Sequence, residues 1–196
     1  MRIIGGEFRG RAIVAPPGPA TRPTSDRARQ AVFNILDHAP WAPPLEGARV
    51  IDLFAGSGAL GIEALSRGAE FALFVETDEA ARATIRENLE ALGLFGKTRI
   101  HRRDATQLGD RPATAGPPFD VAFLDPPYHR GLNQLALSQL ARGGWLGSDA
   151  VVVLETASDE AFAAPGGFAI VDSRDYGAAR VRFLRRTAAE LANDMD

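Results

Sequence analysis

An α/β fold, with seven strands in a mostly parallel sheet and helices on both faces, follows from three observations in the sequence. Short apolar runs alternate with amphipathic stretches from residue 49 onward. A glycine-rich turn joins the first run to the first amphipathic stretch. Four acids, Asp52, Glu76, Asp104 and Asp125, fall at the ends of successive apolar runs. Open α/β sheets bind ligands at those carboxyl ends, so four acids in succession mark a site.

The elements follow in order. Residues 1–24 hold two β-favouring runs, Ile3-Ile4 and Ala12-Ile13-Val14, separated by glycines and followed by a Pro/Gly stretch. This pattern predicts a small N-terminal hairpin or arm. Ser25 or Asp26 can cap a helix to about Asp37, because Ala28, Ala31, Val32, Ile35 and Leu36 recur on one face. Residues 40–47 form a Pro/Gly linker. Strands are then expected at 49–54, 70–76, 98–103, 119–124 and 150–155, and helices at 59–67, 78–92 and 131–141. The glycine- and proline-rich residues 113–118 read as a loop. Two last runs, 168–173 and 179–185, predict a hairpin that adds one antiparallel strand. The organisation is an arm (1–24), one domain (25–186) and a tail (187–196).

The glycine turn reads Asp52-Leu53-Phe54-Ala55-Gly56-Ser57-Gly58-Ala59-Leu60-Gly61. Glycines let a ligand approach the backbone closely, and an acid after the second strand, Glu76, can accept both hydroxyls of a ribose. The literal spacing permits a nicotinamide dinucleotide as well as S-adenosyl-L-methionine. Three details favour the methyl donor. Asp52 sits inside the strand end, where it would face a cationic or amino group rather than a pyrophosphate. Arg67 is the one arginine between Asp52 and Glu76, at the far end of the helix. Asp104 follows the third run, where it could meet an adenine amine or simply make a turn.

After the fourth run comes Asp125-Pro126-Pro127-Tyr128. The Asp125 carboxylate and the Pro126 carbonyl can both accept hydrogen bonds from an –NH₂ group. The prolines fix φ and carry no N–H, which keeps this lip rigid. Tyr128 adds a π-face, worth about 1–3 kcal/mol per stacked base. Such a lip suits the exocyclic amine of a planar base. Glu155, at the fifth strand end, reads as structural.

Bulk properties narrow the functions. The 196 residues fit one domain with a short extension, and the 45% hydrophobic content supplies a core. The absence of cysteine excludes disulfides, thiolate metal sites and cysteine nucleophiles. His38, His101 and His129 have no ligand spacing, so no metal is expected. Neither a leader nor an apolar run of about 20 residues is apparent, which predicts a cytoplasmic protein away from membranes. The net charge is −3, yet six arginines against two acids in residues 1–30 give +4. The remaining 166 residues therefore carry −7. A basic arm on an acidic body suggests phosphate contact, and Arg9, Arg11, Arg22 and Arg27 are the candidates.

Together these residues resemble Rossmann-like S-adenosylmethionine-dependent methyltransferases that act on amino groups of bases. The openings Met1 to Arg11 and Thr21 to Arg27 resemble the N-terminal signature of bacterial 16S rRNA guanine-N2 methyltransferases of the RsmD type. The resemblance implies that Asp52 lies near the methionine moiety, that Gly56 and Gly58 pass under the cofactor and that Glu76 holds the ribose. Phe54, Ser57, Asp104 and Ala105 complete the expected cofactor site, and Asp125, Pro126, Pro127 and Tyr128 form the expected catalytic lip. It implies a monomer acting on 16S rRNA or a small-subunit assembly intermediate. The competing readings are an N6-adenine methyltransferase, an NAD-dependent oxidoreductase and a non-catalytic RNA-binding module.

Overall fold

In the computed structural model the described residues are 1–17 and 26–187. Arg22, the alternative cap Ser25 and the tail beyond Thr187 lie outside them. Helix α1 (Asp26–His38) precedes β1 (Arg49–Leu53), α2 (Ala59–Ser66), β2 (Phe71–Val75), α3 (Glu79–Leu92) and β3 (Thr98–His101). There follow β4 (Phe119–Leu124), α4 (Leu132–Arg142), β5 (Leu146–Ala157), β6 (Phe168–Tyr176) and β7 (Ala179–Arg186). The seven strands form one sheet in the order β3-β2-β1-β4-β5-β7-β6. Strands β1 to β5 pair in parallel, while β7 runs antiparallel to both β5 and β6.

The apolar strands are buried on both faces, as a parallel sheet requires. On one face Val50, Phe74, Phe123 and Val153 meet Phe33 of α1, Ile62 of α2 and Ile85 and Leu89 of α3. On the other, Ile51, Ala122, Leu124 and Val152 meet Ala136, Leu137 and Leu140 of α4 and the fully buried Trp145. The indole N–H of Trp145 donates to the Gly109 carbonyl at 2.7 Å, so its polar edge is satisfied inside the core.

Strand boundaries depart from expectation in three strands, and β6 runs on to Tyr176 rather than stopping at 173. Strand β5 begins at Leu146 rather than 150, because buried Leu146 pairs with Phe119 ahead of a register shift. Polar Gly147-Ser148-Asp149 is carried into the strand with it. Strand β3 stops at His101, and Asp104 caps a short 3₁₀ turn over Ala105–Gln107 instead of ending the strand.

The N-terminal segment is a hairpin fastened to the domain. Arg2 pairs antiparallel with Ala12, and Ile3 and Ile13 are buried in the main core. The N–H groups of Ile4 and Gly5 donate to the two oxygens of Glu63 at 2.8 and 2.9 Å. Glu63 is fully buried and also pairs with Arg67 at 2.8 Å, with Arg29 Nε 3.8 Å away. Arg29, counted in the basic cluster, is thus a buried structural cation that also pairs with Asp26.

Candidate active site

Register explains how residues distant in sequence converge. Leu53 aligns with Val75 and with Leu124, and Leu124 aligns with Leu154. The next residues, Phe54, Glu76, Asp125 and Glu155, therefore start from one row at the carboxyl edge. Alternation puts Asp52, Glu76, Asp125 and Glu155 on the face shared with Val50, Phe74, Phe123 and Val153.

The turn after β1 is strained. Phe54 adopts φ 60°, a left-handed conformation uncommon for a side chain with a Cβ. Gly56 and Gly58 follow at φ 55° and 78°. Gly58 starts α2 and offers no side-chain cap. The cap comes from the sheet: Asp52 Oδ2 accepts the Gly61 N–H at 3.0 Å. Gly61 allows this approach, since a Cβ there would lie 2.4 Å from Phe74 and 3.3 Å from Asp52 Oδ2. Burial pushes the Asp52 carboxyl up to about 8; the Gly61 hydrogen bond opposes this and nearby Glu76 adds to it.

Glu76 is held by backbone donors on both oxygens, Gly56 N–H at 2.9 Å and Asp78 N–H at 2.9 Å. Each carboxylate oxygen accepts more than one hydrogen bond, so the fixed group can still accept from a diol. Asp78 caps α3 through the Ala81 N–H at 2.7 Å.

Asp52, Phe54, Gly56, Ser57 and Glu76 line a cleft of about 700 Å³ together with Asp125, Pro126, Pro127 and Tyr128. Met1, Pro16, Pro17 and Arg29 close it from the hairpin side. A neighbouring cavity of about 200 Å³ shares Phe54, Glu76 and Pro127 and is lined by Asp104 and Ala105. The volume of the cleft falls in the range of small-molecule sites. Asp104 Oδ1 is engaged in its own turn, accepting from Thr106 N–H at 2.8 Å and Thr106 Oγ1 at 2.7 Å. Gly58 is not at the cleft wall; it packs against Phe74 and Ile85 beneath it.

The candidate phosphate contacts are dispersed. The tip of the hairpin, with exposed Arg9, lies against Ser66 at the end of α2, and Arg11 donates to the Ala91 carbonyl near the end of α3. Both helices run from the carboxyl edge back to the amino edge of the sheet, so Arg9 and Arg11 sit away from the cleft. Arg27 is exposed on the first turn of α1.

Sequence reasoning noticed Glu155 at the fifth strand end and set it aside as structural. The Tyr128 hydroxyl donates to Glu155 Oε1 at 2.6 Å, so the fifth strand-end acid belongs to the site's surroundings. Among the described residues no cluster of three or more His, Asp or Glu is arranged to hold a metal ion, and no helix is long and apolar enough to cross a membrane.

Known proteins resemble this chain over most of its length. The family model described as conserved hypothetical protein 95 matches residues 1–185. Ribosomal RNA small subunit methyltransferase D of Escherichia coli is 36% identical over 189 residues, covering 96% of this chain and 91% of the relative. Its namesake from Haemophilus influenzae is 33% identical and covers 94% and 93%. The solved structure of Escherichia coli yhhF, described as a candidate methyltransferase, has a TM-score of 0.80 and 34% identity, covering 96% and 98%.

Proposed function

The chain belongs to the family described as conserved hypothetical protein 95, and we propose that it methylates the exocyclic N2 amine of a guanine in small-subunit (16S) ribosomal RNA. The observation that carries this reading is the convergence of Asp52, Glu76 and Asp125 to Tyr128 on one cleft. S-adenosylmethionine supplies a methyl group already activated on a sulfonium. The residues fit that donor. Glu76, pinned by two backbone N–H groups, would hold the ribose diol. Buried Asp52 would face the cationic methionine end, and Asp104 and Ala105 border a cavity where adenine would sit.

The protein's own work is positioning. The target amine would donate to the Asp125 carboxylate and the Pro126 carbonyl, which would favour a pyramidal nitrogen with its lone pair free for methyl transfer. Positive charge that develops on nitrogen as its bond to the methyl carbon forms and the methyl–sulfur bond breaks, leaving the neutral thioether, would be stabilised by the same acceptors. A proton then leaves the methylated amine, and no strong base is needed before transfer. The base must leave its stack to enter the cleft, which is easiest in a loop or an assembly intermediate. Tyr128 gives it a face to stack on. Arg9, Arg11 and Arg27 would supply phosphate contact outside the cleft, and Arg22 is a further candidate for phosphate contact. Such work takes place where ribosomes assemble, in the cytoplasm, and a monomer carries every residue the reaction uses.

Nucleoside mass spectrometry of rRNA from a strain lacking this protein tests the reading. Loss of one N2-methylguanosine from the small-subunit RNA supports it; loss of an N6-methyladenosine instead would move the activity to adenine.

A further inference from the structure

We propose that Glu155 is a positioning residue that sets the orientation of the Tyr128 ring for the incoming base; this rests on the methyl-transfer reading of the cleft. Leu154 aligns with Leu124, so Glu155 and Asp125 occupy the same row of adjacent parallel strands. The chain beyond Asp125 then turns back over β5, and the Tyr128 hydroxyl donates to Glu155 Oε1 at 2.6 Å. A short O–H···O⁻ bond to a carboxylate is about twice as strong as a neutral one. It fixes the ring's far end, while Pro126 and Pro127 fix the backbone at the near end.

The same loop is fastened a second time, just beyond the ring. His129 adopts φ 59°, and its N–H donates to Glu160 Oε2 at 3.1 Å. Glu160 Oε1 accepts from Asn133 Nδ2, also at 3.1 Å, and Asn133 is buried at the start of α4. Thus β5, through Glu155, and the segment after it, through Glu160, hold the catalytic loop at Tyr128 and just beyond it. A stacking platform gains affinity when its orientation is settled before the base arrives. Tyr128 is accordingly more than a ring: its hydroxyl is part of the device, and phenylalanine is not an equivalent replacement.

The test compares methyl transfer to small-subunit RNA by Glu155→Ala, Glu155→Gln, Tyr128→Phe, the Glu155→Ala/Tyr128→Phe pair and Asp125→Ala. Glu155→Ala and Tyr128→Phe should each lower kcat/KM for RNA about tenfold, the loss expected for one hydrogen bond to a charged group. S-adenosylmethionine affinity should stay at the wild-type value. The double variant should be no worse than either single one, because both remove the same bond. Glu155→Gln, whose amide oxygen still accepts, should recover most of the activity. If Glu155→Ala does not fold, Tyr128→Phe and Glu155→Gln carry the test alone. Wild-type turnover in Tyr128→Phe, or additive losses in the pair, overturns the proposal while Asp125→Ala stays inactive. Normal turnover in Asp125→Ala would instead overturn the reading of the cleft itself.

Discussion

Replacing Asp52 with asparagine should make the free protein more stable and a poorer binder of cofactor. Asp52 is only 2% exposed, and burial raises its carboxyl from 3.8 to about 8. Between those values the folded protein holds a proton that the unfolded chain has released. Stability therefore falls as pH rises through that window and levels off above about 8. Each pH unit costs about 1.4 kcal/mol, so by pH 7 the ceiling is about 4 kcal/mol. Relaxation and water penetration soften buried electrostatics, and about 2 kcal/mol is a realistic expectation. Asparagine keeps an oxygen for the Gly61 N–H and has no charge to bury. For a chain of this size the gain corresponds to about 4–8 °C in Tm at pH 7. It should be smaller at pH 5 and largest near pH 8. Cofactor binding should change in the opposite sense. A cation beside Asp52 favours its ionised form, so wild-type affinity should rise with pH up to about 8 with release of a proton. Asp52→Asn should lose most of that dependence and bind more weakly. Thermal unfolding at several pH values and calorimetry in two buffers of different ionisation enthalpy read both effects. A wild-type Tm that does not fall between pH 5 and 8, together with no gain from Asp52→Asn, refutes the reasoning.

Three further outcomes are expected. Glu76→Ala should weaken S-adenosylmethionine binding by about 1.5–3 kcal/mol through loss of charge-assisted bonds to the ribose, measured by calorimetry with NADH as a non-binding control. Glu63→Ala should destabilise the protein by about 3–5 kcal/mol in denaturant melts, because it removes the buried partner of Arg67, takes a carboxylate from beside Arg29 and releases the hairpin's Ile4 and Gly5 N–H groups. Neutralising Arg9 and Arg11 together should leave cofactor binding unchanged while flattening the salt dependence of RNA affinity, by a slope of about 0.7 per lost single-strand phosphate contact; an unchanged slope would assign RNA binding to another surface.

The centre of the sheet was legible because β1, β2 and β4 are short and apolar on both faces, so period and punctuation agreed there. One antiparallel strand was expected from the terminal hairpin, whereas the order of strands emerged only with the structure. Local pairing was less legible: Leu146 joins β5 through its partner Phe119, a contact 27 residues away that no local pattern reports. The strand-end acids revealed the cleft, with Asp52, Glu76 and Asp125 all on its wall. Asp104 illustrates how one residue type serves two roles, since it both caps its turn and borders the small cavity. Arginines were the least legible residues. Arg29 and Arg27 are two positions apart in a charged stretch, yet one is fully buried against Glu63 and the other exposed. Burial of a cation depends on which distant acid meets it, and Glu63 lies on another helix. The hairpin was anticipated as an arm for RNA, but Ile3 and Ile13 make it part of the core as well.

The most direct measurement of the central claim is transfer of labelled methyl groups from S-adenosylmethionine to small-subunit ribosomal RNA, with the products resolved as nucleosides. The wild-type protein should place label in N2-methylguanosine. Asp125→Ala should lose at least about a hundredfold in kcat with cofactor affinity intact, since its bonds to the amine strengthen in the transition state. Label in N6-methyladenosine, or ordinary turnover by Asp125→Ala, would contradict the account.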